Sequence, residues 1–465
     1  MHFRQGQVID GFTLEEQMPS GGMASLWRAR HPDLDVTAVL KIPFLDPGQD
    51  VSVVIGYEVE ELVLKRLSGP HVPRYIRSGD LAETPYIAME FVEGESLAKL
   101  ARNAPLSPDE VALIGAKVAV ALASLHAQEV AHLDLKPENV ILAERGAVLL
   151  DFGLSRHAGL PDLLGEESRV PMGSAAYIAP EQVLGDRSDP ASDIFALGGI
   201  LYLLATGELP FDFPSTTAGM KRRLYHAPKP PSAINPKVPA WLETIIRKCL
   251  EVDRGRRYAD AARVAFDLRH PDQVVITKPQ PRRSSWDRIV SAFQKRDDRQ
   301  LTGAPTSRRR EAGPALILAA VDLAGGTDPL AQAVRAETAR LVAARPDSRL
   351  ACLTVLKTEL IGEDSRADDA GRSAYIRRLV MLKDWAHPLG LPEERVSYHV
   401  VEAVSAADAI IRYAEHNQIG HIVIGARGAS AVRRHLGSVS SKVVAQAGCS
   451  VTVVRLAMLE EAVEP

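Results

Sequence analysis

Cysteine is scarce in this sequence. Cys249, Cys352 and Cys449 are the only three, and they lie far apart with no metal-ligand spacing. They read as reduced thiols at small buried positions rather than as ligands. No apolar run approaches the roughly 18 to 20 residues that a membrane-crossing helix requires. The opening stretch MHFRQGQVIDGF lacks the apolar core of a signal peptide, so the cytoplasm is the expected compartment. Strong charge of either sign is missing too. A net charge of −4 over 465 residues argues against a chain built as a whole to bind polyanions. No repeat links the two halves. What remains is an ordinary globular composition on a chain too long for one domain, and two or three are expected.

The first part is strand-rich, then helical. GFTLEEQMPSGGMASLWRAR, DVTAVLKIP and TPYIAMEFV read as strands separated by turns. SPDEVALIGAKVAVALASLHAQ reads as a helix. Ser107 is its N-cap, Pro108 stands at N1 and Glu110 at N3, a capping box. Val111, Ile114, Val118, Leu122 and Leu125 recur at helical spacing and mark its core face.

Between Lys278 and Arg310 the composition turns to Pro, Ser and Arg, with basic residues outnumbering acidic ones ten to three. An extended, self-repelling tether with a short amphipathic helix around Trp286 to Phe293 is preferred to a nucleic-acid or acidic-lipid contact. Beyond Ala312, the apolar segments ALILAAVDL, RLACLTVLK, RVSYHVVE, HIVIGAR and SVTVVRL alternate with helix-like stretches. That alternation predicts a doubly wound parallel sheet of five strands.

The segment VAHLDLKPENVIL packs His132, Asp134, Lys136 and Asn139 into eight residues. Phosphoryl transfer asks for this set: a carboxylate to orient the attacking hydroxyl, a cation beside the moving phosphate and an oxygen for a metal. Alone it could be a polar turn. Its company argues otherwise, since LLDFGLSR follows with Asp151 and TAVLKIP precedes it with Lys41 on a strand.

PSGGMASLW, AVLK, HLDLKPEN, DFG, GSAAYIAPE, SDIFALGG and DRGRRY occur in that order. On these motifs, residues 11–270 resemble a protein kinase catalytic domain of the bacterial Ser/Thr type, with an α+β bilobal fold. The resemblance implies ATP and Mg²⁺, with Mn²⁺ able to replace it, and protein substrates. It implies that Lys41 contacts the α- and β-phosphates and pairs with Glu60, Glu61 being the fallback. Asp134 would orient the substrate hydroxyl, Lys136 would reach the γ-phosphate, and Asn139 and Asp151 would hold the metal. Pro19, Ser20, Gly21, Gly22, Met23 and Ala24 would cover the phosphates. Met89 would be the gatekeeper, with backbone groups of Glu90 and Val92 facing adenine. Glu181 is expected to pair with Arg257, and Asp193 to brace the catalytic loop through its amides.

Two positions depart from that family's pattern. Pro19 and Ala24 stand where glycines are usual in the phosphate-covering loop, which should stiffen it. Leu133 stands where most kinases carry an Arg that binds a phosphorylated activation-loop residue. The loop from Asp151 to Glu181 contains no Thr, and only Ser155, Ser168 and Ser174 as Ser hydroxyls. A phosphate switch at this loop is therefore not expected.

Glycines 425, 428 and 437, with Ser438, follow a strand and precede a helix, where backbone amides can cradle phosphate. With Asp322 ending the first strand, residues 313–457 resemble a universal stress protein domain, leaving residues 271–312 as linker. Eight residues, Ala429 to Leu436, separate Gly428 from Gly437, one fewer than in nucleotide-binding members. Nucleotide binding and a plain tight turn both remain open there. Homodimerisation through SVTVVRL is implied by the resemblance alone. The reading is a cytoplasmic Ser/Thr kinase with a regulatory, dimerising or docking C-terminal domain. Its alternative is a nucleotide-sensing pseudokinase scaffold.

Overall fold

A computed structural model describes residues 3–19, 22–45, 51–167, 170–276, 315–323, 328–357, 373–426 and 437–456. The helix expected around Trp286 to Phe293 lies outside the described residues, as do Ser20, Gly21, Ser168 and Gly428.

The first lobe is an antiparallel sheet of β1 (Phe12–Met18), β2 (Ala24–Arg30), β3 (Ala38–Pro43), β4 (Tyr75–Ser78) and β5 (Ile87–Glu90). Its order is β1-β2-β3-β5-β4, with the two-residue strand Val8–Ile9 paired outside β1. The period-2 alternation of strands decides what faces what. Leu40 and Ile42 join Phe12, Leu14, Trp27 and Tyr86 in a cluster on one face. Val39 points the other way, into the main core, where α1 (Val51–Leu64) also packs with Ile55, Val59 and Val63. Lys41 shares the parity of Val39, so it is aimed at α1.

The helical lobe begins with α2 (Pro108–His126), capped as its sequence predicts: Ser107 Oγ accepts from the Glu110 amide, and Glu110 accepts from the Ser107 amide. Its stripe from Val111 to Leu125 is buried. The hairpin β6 (Val140–Ala143) and β7 (Gly146–Leu149) follows, then α3 (Leu163–Glu167), α4 (Ala191–Thr206), α5 (Ala240–Cys249) and α6 (Ala261–Arg269). A buried ion pair ties the far end of this lobe together. Arg257 donates to both oxygens of Glu181 at 2.6 and 2.7 Å, and Ser192 Oγ adds a bond of 2.7 Å.

The second unit runs β8 (Leu316–Ala320), α7 (Pro329–Ala343), β9 (Arg349–Lys357), α8 (Ala374–Ala386), β10 (Val396–Ala403), α9 (Ala406–His416), β11 (His421–Gly425), α10 (Ser438–Gln446) and β12 (Ser450–Val454). Its five strands are all parallel in the order β10-β9-β8-β11-β12. Val334 and Leu382 cover one face with α7 and α8, and Ile410 and Val443 cover the other with α9 and α10. This is the doubly wound sheet expected from the alternating segments. Among the described residues no helix is long and apolar enough to cross a membrane.

The two units touch. Val54 of α1 packs with Tyr375 and Leu379 of α8 and Val400 of β10. Lys383 of α8 pairs with Glu58 of α1. On α3, Glu166 meets Arg349 at 2.8 Å and His399 at 3.0 Å. Burial pulls the His399 pKa down, but hydrogen bonds to Glu166 and Glu167 outweigh it and raise the ring to about 9. Burial would push Glu166 up, yet the His399 bond and the Arg349 charge hold it down near 2.

Two measurements check this packing. Arg257→Ala leaves Glu181 buried without its cation and should cost about 3–5 kcal/mol in the urea unfolding of the first unit. A cost below about 1 kcal/mol would contradict a buried, structural pair. The His399 contact should be full below the ordinary histidine value of 6.5 and fade as pH rises through about 9. Glu166 adds its share above the ordinary carboxylate value of 4.5, and loses it as pH falls toward about 2. A ¹³C histidine titration should show one ring, missing in His399→Gln, that titrates near pH 9. Every ring titrating below pH 7 would refute the contact.

Candidate active site

Three charged side chains converge where β3, α1 and the segment after β7 meet. Lys41 Nζ lies 2.6 Å from Glu60 Oε2 and 2.9 Å from Asp151 Oδ1. Burial disfavours the Lys41 charge, but the two carboxylates outweigh it and raise its pKa. Burial likewise opposes the Asp151 charge, and Lys41 overrides it, holding that carboxyl near 2. Glu60 bears the desolvation cost: burial lifts its pKa in spite of Lys41. Asp151 sits at φ +63°, a left-handed backbone that costs free energy in a residue other than glycine. Phe152 holds that turn, fully buried with its ring 5.3 Å from the His132 ring.

The polar loop is braced from behind. Leu133 is buried at φ +64°. Asp193 of α4, itself fully buried, accepts from the amides of His132 and Leu133 at 2.8 Å each and bonds to the His126 ring at 2.9 Å. Burial works against this charge, and the His126 bond with the amides still lowers its pKa. His132 Nε2 donates to Leu150 O at 3.0 Å. These bonds fix the backbone that presents Asp134. On its reactive side, Asp134 takes Lys136 Nζ at 2.9 Å on Oδ2 and the Ser174 amide at 2.7 Å on Oδ1. Asn139 Nδ2 donates to Asp134 O at 2.9 Å. With its amide nitrogen committed to Asp134, the side-chain carbonyl of Asn139 is the atom left to act as a ligand.

Of the phosphate-covering loop, Pro19, Gly22, Met23 and Ala24 are described. Met23 is exposed, and its carbonyl accepts from the Phe44 amide at 2.9 Å. Ala24 is buried and opens β2 with ordinary strand backbone. Met89 is buried on β5, paired with Val39 and Tyr75 on the neighbouring strands. The hinge expectation is narrowed at Glu90. Its amide donates to Arg74 O at 2.9 Å, and its carboxylate binds Arg145 at 2.8 and 3.1 Å, so its carbonyl is the backbone group left for a ligand. Val92 follows it in an irregular, partly buried segment.

Several contributors carry no sequence signal of their own. Ser155 Oγ donates to His132 O at 3.0 Å and is buried, and Gln182 Nε2 donates to Leu133 O at 2.8 Å. Arg223 is buried against the carbonyls of Ala175, at 2.6 Å, and Ile178. Burial pulls its pKa down to about 10. Single polar residues of this kind look like any surface residue in one sequence.

Asp151 and the Asn139 carbonyl are hard oxygen donors of the kind a small divalent cation takes alongside phosphate oxygens and water. Among the described residues no group of three or more His, Cys, Asp or Glu could hold a metal unaided. An ion here would share phosphate oxygens. Lys41 and Lys136 place two ammonium groups beside Asp151 and Asp134, and the Asp134 carboxylate is braced by the Ser174 amide.

In the second unit, Asp322 follows β8 and Gly425 ends the adjacent β11. A Cβ on Gly425 would lie 2.9 Å from Leu330 Cγ, so glycine here lets α7 approach the strand end. Gly437 caps α10 and Ser438 is its first residue. Asp322 and Gly425 lie at the ends of the two strands between which the strand order reverses.

Residues 12–267, more than half of the chain, match the family model for the protein kinase domain, and residues 316–455 match that of the universal stress protein family. A probable serine/threonine-protein kinase of Clostridium perfringens (strain 13 / Type A) is 30% identical over 293 residues, covering 62% of this chain and 42% of that protein. The serine/threonine-protein kinase PkaA of Streptomyces coelicolor is 34% identical over 258 residues, covering 51% and 46%. The crystal structure of the Mycobacterium tuberculosis PknI kinase domain is matched over its full length and 58% of this chain, at 25% identity and TM-score 0.46. The match spans less than half the length of these two curated relatives. The chain belongs to the protein kinase family and carries a universal stress protein domain behind its kinase domain.

Proposed function

We propose that this chain is a serine/threonine protein kinase that moves the γ-phosphate of Mg·ATP to protein hydroxyls. The observation that carries the reading is the shared placement of Lys41, Glu60, Asp151, Asp134, Lys136 and Asn139. Asp134 orients the attacking hydroxyl and takes up its proton. Lys136, 2.9 Å from Asp134, offsets charge on the moving phosphate. Lys41, steered by Glu60, holds the α- and β-phosphates. Bound Mg²⁺, or Mn²⁺ in its place, would be held by Asp151 and Asn139 and would neutralise the phosphate oxygens.

The catalytic domain is taken as residues 11–270, the linker as 271–312 and the second domain as 313–457. Its strand-order reversal is the kind of crevice where doubly wound sheets bind ligands, which supports a nucleotide site around Asp322, Gly425, Gly437 and Ser438. Among the described residues β12 pairs with β11 alone, so its outer edge can support a homodimer. The chain is assigned to the cytoplasm.

The test compares the wild type with Lys41→Met and Asp134→Asn, using labelled ATP and a generic basic protein. Both variants should lose roughly 10³-fold in transfer, the scale of removing a major electrostatic contribution. Asp134→Asn should still bind Mg·ATP, because its side chain faces the hydroxyl rather than the nucleotide. Transfer by both variants at the wild-type rate, in preparations free of other kinases, would refute the reading. A wild type that binds ATP without transfer would establish the pseudokinase scaffold instead.

A further inference from the structure

Helix α1 carries two deeply buried carboxylates, Glu58 at 7% and Glu60 at 2% exposure. Residues two apart on an α-helix point about 200° from each other. Glu60 therefore faces Lys41 and the active site, while Glu58 faces the second domain and Lys383. A buried carboxylate without a cation is costly, so each of these residues fixes one side of the helix. The apolar contact of Val54 with Tyr375, Leu379 and Val400 lies on the same outward side as Glu58. Just past the helix, Arg66 reaches Glu393 at 3.0 Å and Glu394 at 2.8 Å, a more exposed contact that adds less.

The second domain grips the activation segment as well. Glu166 of α3 is buried between Arg349 and His399, and Glu167 lies 3.7 Å from the other ring nitrogen of His399. The last carbonyls of α3 have no partner within so short a helix. His416 Nε2 donates to Gly165 O at 3.0 Å and Asn417 Nδ2 to Glu166 O at 3.1 Å, both from the end of α9. Helix α3 also packs on α1. One domain thus holds both α1 and α3 at once.

We propose that the second domain is an intramolecular activator, which clamps α1 and α3 so that Glu60 stays on Lys41 and the activation segment is ordered without phosphate. This rests on the kinase reading above. Leu133 removes the cation that would otherwise receive an activation-loop phosphate. Arg349 and His399 supply cations from outside the kinase domain, and Glu166 supplies the anion permanently. The sign of the effect follows from geometry. The docked surface of α1 coexists with the closed Lys41–Glu60 pair, and the second domain stands on the side of α1 away from Lys41, so an outward swing that breaks the pair would drive Glu58 and Val54 against Lys383, Tyr375 and Leu379.

The test uses the full chain carrying Lys383→Glu, Glu58→Lys, or both. Hydrogen exchange over Val51–Leu64 and Leu163–Glu167 reads the clamp whether or not the protein is catalytic. Initial phosphate transfer to a generic basic protein reads activation. Each single reversal should speed exchange over α1 and lower the rate about tenfold, a usual size for coupling between sites. The double variant, which restores opposite charges, should return both readings to within about threefold of wild type, and so separates the clamp from simple misfolding. Unchanged exchange in the single variants overturns the clamp. Faster exchange with an unchanged or higher rate overturns activation. A wild type with no transfer sinks the kinase reading, and exchange then still decides whether the domain holds α1.

Discussion

The Lys41–Glu60 ion pair is the constraint on which the rest depends. It joins a strand and a helix that share no covalent rigidity, and Glu60 is buried deeply enough that its charge is costly without the cation. Strand parity aims Lys41 at α1, and the packing of Ile55, Val59 and Val63 against the same core brings Glu60 to meet it. Once closed, the pair draws Asp151 in on the other side of the ammonium. The position of α1 is therefore the variable that makes or unmakes the site, and α1 is held from outside by a second domain.

The catalytic loop is rigid for a different reason. Asp193 spends a fully buried carboxylate on two consecutive amides, and the surrounding bonds of His132, Ser155 and Gln182 leave that backbone nowhere to go. Left-handed backbone at Leu133 and Asp151 is maintained by this over-determination. The burial of Ser155 has a regulatory consequence, because a hydroxyl enclosed at 3% exposure and donating to His132 O is not presented to another kinase. Order in the activation segment comes instead from packing and from the Glu166 contacts.

Much of this was legible in the sequence because the signals are local. The box at Ser107 and Glu110, the helical stripe of α2 and the five alternating apolar segments each depend on residues a few positions apart. The family resemblance likewise implied which carboxylate of α1 would face Lys41, with Glu61 as the fallback. The amide of Glu90 was not legible, since its capture by Arg74 depends on how two strands register. Nor was the partner of Glu58. Lys383 lies 325 positions away on a helix of another domain, and one sequence holds no trace of such a pairing. Of the carboxylates in YEVEELVL the resemblance singled out Glu60, whereas the task of Glu58 comes from three-dimensional packing alone.

Assembly of the site without an activation-loop phosphate is what the clamp on α1 and α3 demands. The direct measurement is a transfer time course begun with protein stripped by a phosphatase and verified as unphosphorylated by intact mass. Full rate is expected from the first turnovers, with no lag. A lag that disappears after preincubation with ATP, with the rate tracking phosphate gained between Asp151 and Glu181, would contradict it.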